Sequence, residues 1–248
     1  MTRLGLLACG DSVPTCTASR SLDNLRQSIT RFADRSISYL KQPFDDDAQL
    51  FGAFSGRVVL ENTCAALLGR LDPFRMLYIA EFQSQGAYEY GKPMRSGFKW
   101  QGDVLSEDKP SASIWNHDLD TSKISRALLS IHADQIFWKP AVTVMLDCVS
   151  QNGGSLHPDI NSIDPDNFTA QMRGRCANLY STLSKGVHWE FFTDTIVIDE
   201  QTIKDNILTC LQTASLLALL SHFVPTAFRQ TNSVAAIQTF NDFRGELV

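Results

Sequence analysis

Apolar residues recur along most of this chain at steps of three and four, the period of a helix with one buried face, and clusters of Gly, Pro, Asp and Asn interrupt them. Leu22, Leu25, Ile29, Phe32 and Ile37 or Leu40 predict a helix to about Gln42, capped by Ser21 or Asp23 and ended by Pro43. The Asp45, Asp46, Asp47 run suits the positive end of a second helix, from about Asp47 to Arg70. Phe51, Phe54, Val58, Ala65 and Leu68 are its expected buried row, which passes through Glu61. Pro73 opens a third helix, Phe74 to Gln85, packed through Met76, Leu77, Ile79, Ala80 and Phe82.

Further on, Ile124, Leu128, Ile131, Phe137 or Trp138, Val142, Met145 and Val149 predict a long helix from Thr121 to about Gln151, kinked at Pro140. Ala170 to Phe192 reads as another, with Asp164 or Asp166 as its cap. Thr202 to Val224 is the most apolar and is expected at the centre, and Ser233 to Phe243 is the last. Thr195 to Ile198 is the one strand-like run, and a single strand makes no sheet, so an extended connector is expected. Met1 to Ala18 has no stable period and is expected as an irregular lead-in; residues 86–119, rich in Gly and aromatics, are expected as a long loop. The fold class is therefore all-α: one domain over 1–248, a bundle of six to eight helices with that loop between the third and fourth.

Composition narrows the function classes. With 248 residues, 44% hydrophobic and 20% charged, the chain is ordinary globular material, and a net charge of -5 gives no footprint for nonspecific nucleic-acid binding. Lys92, Arg95, Lys99 and Trp100 are nonetheless able to hold a phosphate and stack a base, although aromatics in such a loop more often pin it to the core. The six cysteines form no CxxC pair and have no histidine cluster beside them, so neither metal nor cofactor is expected, and a reducing cytoplasm is. The apolar run before Cys9 is about five residues, short of the roughly seven to fifteen of a signal core. Thr213 to Val224 is short of the roughly twenty needed to cross a bilayer, so no membrane association is expected. GxxxxGKS, GxGxxG, HExxH and GxSxG are all absent.

Two constellations remain. Asn178, Ser181, Ser184 and His188 follow at steps of three, three and four beside the apolar Leu179, Leu183 and Val187, which places a polar row on one helix along a buried seam. Its plainer reading is a solvated face whose hydroxyls bond back to their own helix. Arg173 and Arg175 lie about a helix length from His188, so contact requires a bend at Gly186 or an arginine from a second subunit. The second constellation is Arg126 and His132, six residues apart and expected on nearly one side of a helix; an ordinary surface pair is its plainer reading. Arg57 and Glu61, one turn apart, are read as an intrahelical ion pair rather than a catalytic acid.

Arg126 and His132, with the segment Tyr180-Ser181-Thr182-Leu183-Ser184-Lys185-Gly186-Val187-His188, resemble motifs of the HEPN superfamily of all-α domains, many of them metal-independent ribonucleases of bacterial toxin and phage-defence systems. Ala127 stands where that family usually has a polar residue. The resemblance implies attack of a ribose 2′-hydroxyl on the adjacent phosphate, with His188 as base or acid, Arg175 or Arg126 stabilising the phosphoryl oxygens, and Ser181, Ser184 and Asn178 orienting imidazole or substrate; His132 is the second candidate histidine. It also implies RNA as ligand and a homodimer. The alternative is a non-catalytic helical interaction subunit of a multiprotein bacterial defence complex with a partner protein, and a helical small-molecule sensor is a third class.

Overall fold

The computed structural model describes residues 3–12, 16–88, 97–106, 125–152, 158–188 and 199–247, and these form an all-α bundle without a strand. Its helices are α1 (Leu4–Cys9), α2 (Thr17–Lys41), α3 (Asp46–Leu71), α4 (Pro73–Gln83), α5 (Ile131–Ala133), α6 (Lys139–Asn152), α7 (Pro158–Asn161), α8 (Phe168–His188), α9 (Glu200–Leu220) and α10 (Ser233–Gly245). Several starts are set by side-chain caps that satisfy otherwise unpaired N–H groups: Asp45 accepts from the Ala48 amide at 2.8 Å, Asp199 from Thr202 at 2.7 Å, and Asp72 from Arg75 at 3.2 Å with Pro73 next in line. Asp164 makes a turn just ahead of α8, accepting from the Asp166 amide and the Asn167 side chain.

α3 and α9 form the centre. The faces of α3 toward α2, α8 and α9 carry Gly52, Ala53, Ser55, Gly56, Val59, Leu60, Cys64 and Leu67, all buried. This corrects the expected row: Phe51 and Phe54 are 51% and 44% exposed, because the inward positions there are held by glycines that let α9 approach. A Cβ on Gly52 would sit 2.8 Å from Ile203 Cγ2, and Cys210 Sγ donates to the Gly56 carbonyl at 3.1 Å. Phe54 instead meets the edge of Phe32 on α2, ring centroids 5.9 Å apart. α9 continues through a 3-10 turn, Ser221–Phe223, and this span is long and apolar enough to cross a membrane by length and composition; 78% of its apolar window is buried within the bundle, the packing of a core helix.

The lead-in also differs from expectation. Residues 4–9 form α1, with Leu4, Leu7, Ala8 and Cys9 essentially inaccessible. Six residues are too few to display a period, so local pattern does not reveal this helix; a buried polar cluster holds it. Arg70, on α3, donates from Nε to the Phe228 carbonyl at 2.9 Å, to the Ala8 carbonyl at 3.4 Å and to the Ser221 hydroxyl. His222 lies against Leu7, and Arg229 sends its buried guanidinium to the carbonyls of Asp11, Ser19 and Gly10 and to Asp23. Arg229 takes a φ of 60° to do so, opposite Gly10, whose own φ is 67° and whose missing Cβ would fall 1.8 Å from the Arg229 carbonyl oxygen. α2 likewise begins earlier than expected, at Thr17, with Cys16 Sγ accepting from the Ser19 amide.

The helix expected from Thr121 to Gln151 begins at Ile131, with Ser130 as N-cap. Residues 125–130 are instead a non-helical segment ending in a turn, closed by the Ser130 amide on the Ala127 carbonyl at 3.2 Å, and bonded to 103–106: the amides of Leu128 and Leu129 donate to the carbonyls of Asp103 and Val104, and Ser125 Oγ donates to Ser106 Oγ at 2.7 Å. Trp138 fixes that segment from below, its indole N–H donating to the Leu128 carbonyl at 2.6 Å. The distortion expected at Pro140 is present as a wide π turn, Asp134–Trp138, in which the Lys139 amide reaches back to the Asp134 carbonyl. Widening the turn accommodates a proline that has no N–H and whose ring crowds the preceding carbonyl. The 195–198 connector and most of residues 86–119 lie outside the described residues.

Candidate functional site

α8 turns Met172, Cys176, Leu179 and Leu183 into the core against α3 and α9, and leaves Gln171, Gly174, Arg175, Asn178, Ser181 and Lys185 to solvent. Asn178 and Ser181 thus stand on a solvated face. Ser184, at its margin, is half-buried and donates to the Tyr180 carbonyl at 2.5 Å, the backward bond common for hydroxyls within helices. Arg173 is turned inward, donating to the Ser106 carbonyl, so Arg175 is the exposed cation of this helix's N-terminal half. The helix is continuous through Gly186 to His188, so the bend that would return His188 toward Arg175 is absent. The side chain of His188 lies outside the described residues.

The structure does not bring Arg126 and His132 onto one helix. Arg126 is exposed on the non-helical segment before α5, whereas His132 is a half-buried residue within α5, its Nδ1 buried with no hydrogen-bond partner. The six-residue spacing therefore has no helical register to convert it into proximity. Among the described residues no group of three or more His, Cys, Asp or Glu could hold a metal ion. Cys64, Cys176 and Cys210 are fully buried, and burial pushes the Cys210 thiol well above its ordinary value; the Cys64 thiol is raised by its hydrogen bond to Cys176 and by burial.

The inner side of α8 borders a second feature that no spacing in the sequence signals. Tyr180 lies between two partners: Trp100 stacks on it with centroids 4.4 Å apart and planes 8° from parallel, and the Arg57 guanidinium lies 4.6 Å from its ring centroid while donating to its hydroxyl at 2.9 Å. Arg57 also donates to Glu61 at 2.9 Å, the intrahelical pair expected from their spacing. Trp100 is presented by a tight turn, Trp100–Val104, which needs Gly102 at a φ of 104°. Asp103 closes that turn by accepting from the Lys99 amide at 2.7 Å and pairing with Arg75, whose guanidinium lies over Phe98. Trp100 therefore serves to pin its loop to the core.

Between this turn and α2, α3 and α4 is a groove of about 590 Å³. Leu25, Met76, Ile79 and Phe98 line it together with Asn24, Glu61, Asn62 and Lys99, so apolar and polar walls meet across one space. Glu61 and Asn62 are adjacent on α3, and Asn62 donates to Ser28 Oγ at 2.9 Å, which leaves its carbonyl oxygen as an acceptor. The residues that build this groove come from separated parts of the chain, which is why reading short motifs misses it.

No protein-family model, curated protein or solved structure matches this chain.

Proposed function

We propose that the protein is a HEPN-like, metal-independent RNA-cleaving protein whose site is completed by a second copy. The observation that carries this reading is the unbroken α8, with Arg175 exposed near one end and His188 as its final residue. Thirteen helical steps of 1.5 Å separate them by about 20 Å, too far for both to serve one phosphate from a single chain. Two α8 helices paired antiparallel about a two-fold axis bring Arg175 of one copy level, along the helices, with His188 of the other; since thirteen steps also turn the helix by a net angle of about 140°, the long arginine side chain has to reach round its helix to the imidazole. The axis then passes near Ser181, midway between them, and Asn178 of each copy comes opposite Ser184 or Lys185 of the other. In that composite site His188 takes the proton of the ribose 2′-hydroxyl as its oxygen bonds to phosphorus, Arg175 stabilises the phosphoryl oxygens, and the bond to the 5′ oxygen breaks.

The test is cleavage of labelled RNA in the presence of a chelator by wild type, Arg175→Ala, His188→Ala and an equimolar mixture of the two variants. Each variant alone is expected to lose activity. The mixture should recover about a quarter of the wild-type rate, since half of the dimers are mixed and each has one intact site. Unchanged cleavage by either variant, or a dead mixture in which mixed dimers are demonstrably present, overturns the reading.

The alternative, a non-catalytic interaction subunit, draws on a different observation. Phe74 and Tyr78, one turn apart on α4, are 82% and 69% exposed, an aromatic pair of the kind that anchors protein contacts. Absence of any cleavage, together with a stable complex lost in Phe74→Ser/Tyr78→Ser, would favour it.

A further inference from the structure

The groove between α2, α3, α4 and the Trp100 turn is separate from the solvent face of α8, and we propose that it binds a guanine nucleotide. Three features select that class. First, the volume of about 590 Å³ lies within the range of small-molecule sites and admits a mononucleotide. Second, the polar wall is rich in acceptors: the Glu61 carboxylate, of which Arg57 occupies Oε1, and beside it the Asn62 carbonyl oxygen. Guanine presents two parallel N–H donors, at N1 and the exocyclic N2, which match this pair of acceptors; adenine presents an acceptor at N1, which meets the half-exposed, ion-paired carboxylate with no donor between them. Third, Lys99, exposed at the groove's edge on the Trp100 turn, supplies a cation for the phosphate, while Met76 and Phe98 give the planar ring an apolar surface.

The test is calorimetric titration of the full chain with GMP, AMP, guanosine and arginine, arginine being the other small ligand with a paired-donor edge and an anion. GMP is expected to bind with a Kd of about 1 mM or tighter, AMP about tenfold or more weakly. Glu61→Gln should abolish the preference for GMP over AMP, and Lys99→Ala should reduce GMP to the affinity of guanosine without changing guanosine itself. Circular dichroism and melting of each ligand-free variant check the fold, and Ala65→Phe, one turn beyond Glu61 and narrowing the groove without removing its carboxylate, provides a second route if Glu61→Gln is unfolded. Failure of every nucleotide to bind, equal affinity for AMP and GMP, arginine binding tighter than GMP, or full GMP binding by Ala65→Phe overturns the proposal. None of these readouts depends on RNA cleavage.

Discussion

Arg70 and His222 meet 3.3 Å apart in the interior, and their contact fixes the imidazole as a neutral ring. Nε2 donates to the Leu7 carbonyl at 2.8 Å, so Nδ1 must accept, and it does so from the Thr231 amide at 3.0 Å and from the guanidinium. Burial, reinforced by the Arg70 charge, lowers the His222 pKa to about 3. Because the folded value lies below the ordinary histidine value of about 6.5, the unfolded chain binds the proton first. The stabilisation is complete above about pH 6.5 and falls as pH drops toward 3, at roughly 1 kcal/mol per unit. Urea unfolding between pH 7.5 and 4.5 should show that slope, and His222→Gln should be less stable at neutral pH and lack it; equal slopes in the two proteins would refute the assignment.

Removal of Arg70 should be more damaging than an ordinary surface arginine substitution. Arg70→Met leaves the carbonyls of Phe228 and Ala8 and the Ser221 hydroxyl without their buried donor. Losing such bonds costs about 1 to 3 kcal/mol for each group left unsatisfied. We expect a loss of about 3 kcal/mol or more in chemical denaturation, and little recovery in Arg70→Lys, whose single ammonium cannot span acceptors on α1, the 3-10 turn after α9 and the segment beyond it. Recovery to within about 1 kcal/mol by lysine would show that charge rather than the fork is what matters.

The Tyr180 sandwich makes a separable prediction. Tyr180→Phe keeps the stacking on Trp100 and removes only the hydroxyl that accepts from Arg57, so a loss of about 1 kcal/mol is expected. Trp100→Ala removes a nearly buried indole and the anchor of its turn, and about 3 to 5 kcal/mol should be lost. The two substitutions touch the same ring, so their double mutant should fall short of the sum by about 0.5 kcal/mol or more. Strict additivity would mean that the stacked geometry contributes nothing beyond burial.

How much of this was legible follows from where each signal resides. The acidic start of α3 at Asp45, Asp46 and Asp47, the proline start of α4 and the central position of α9 are local chemistry, and residues adjacent in the chain sufficed to find them. The Arg57–Glu61 pair was legible for the same reason. α1 was not, because its stability comes from Arg70, His222 and Arg229, up to 219 residues away in the chain. Residues 125–130 carry helix-like apolar spacing, yet Leu128 and Leu129 are buried in a turn bonded to 103–106, a tertiary pairing that periodicity cannot anticipate. The exposed row of Asn178 and Ser181 on α8 follows from its sequence pattern, whereas the groove needs Asn24, Glu61 and Lys99 brought together from three elements.

The glycines of α3 give the sharpest test of why Phe51 and Phe54 face outward. At Gly52 an added Cβ would lie 2.8 Å from Cγ2 of Ile203, a β-branched side chain with little rotamer freedom. At Gly56 the nearest atom is Leu183 Cδ2 at 3.4 Å, the far end of a flexible side chain. Replacing a helical glycine with alanine gains about 1 kcal/mol from reduced chain entropy, so the balance is decided by space. Gly56→Ala should be neutral or more stable by up to about 1 kcal/mol. Gly52→Ala should be less stable by about 1 to 3 kcal/mol, since the overpacking outweighs the propensity gain. In the background of Ile203→Ala the penalty at position 52 should vanish, because the atom it collides with is gone. A Gly52→Ala protein as stable as wild type would mean that α3 and α9 can separate freely, and that close approach is not what excludes the phenylalanines from the core.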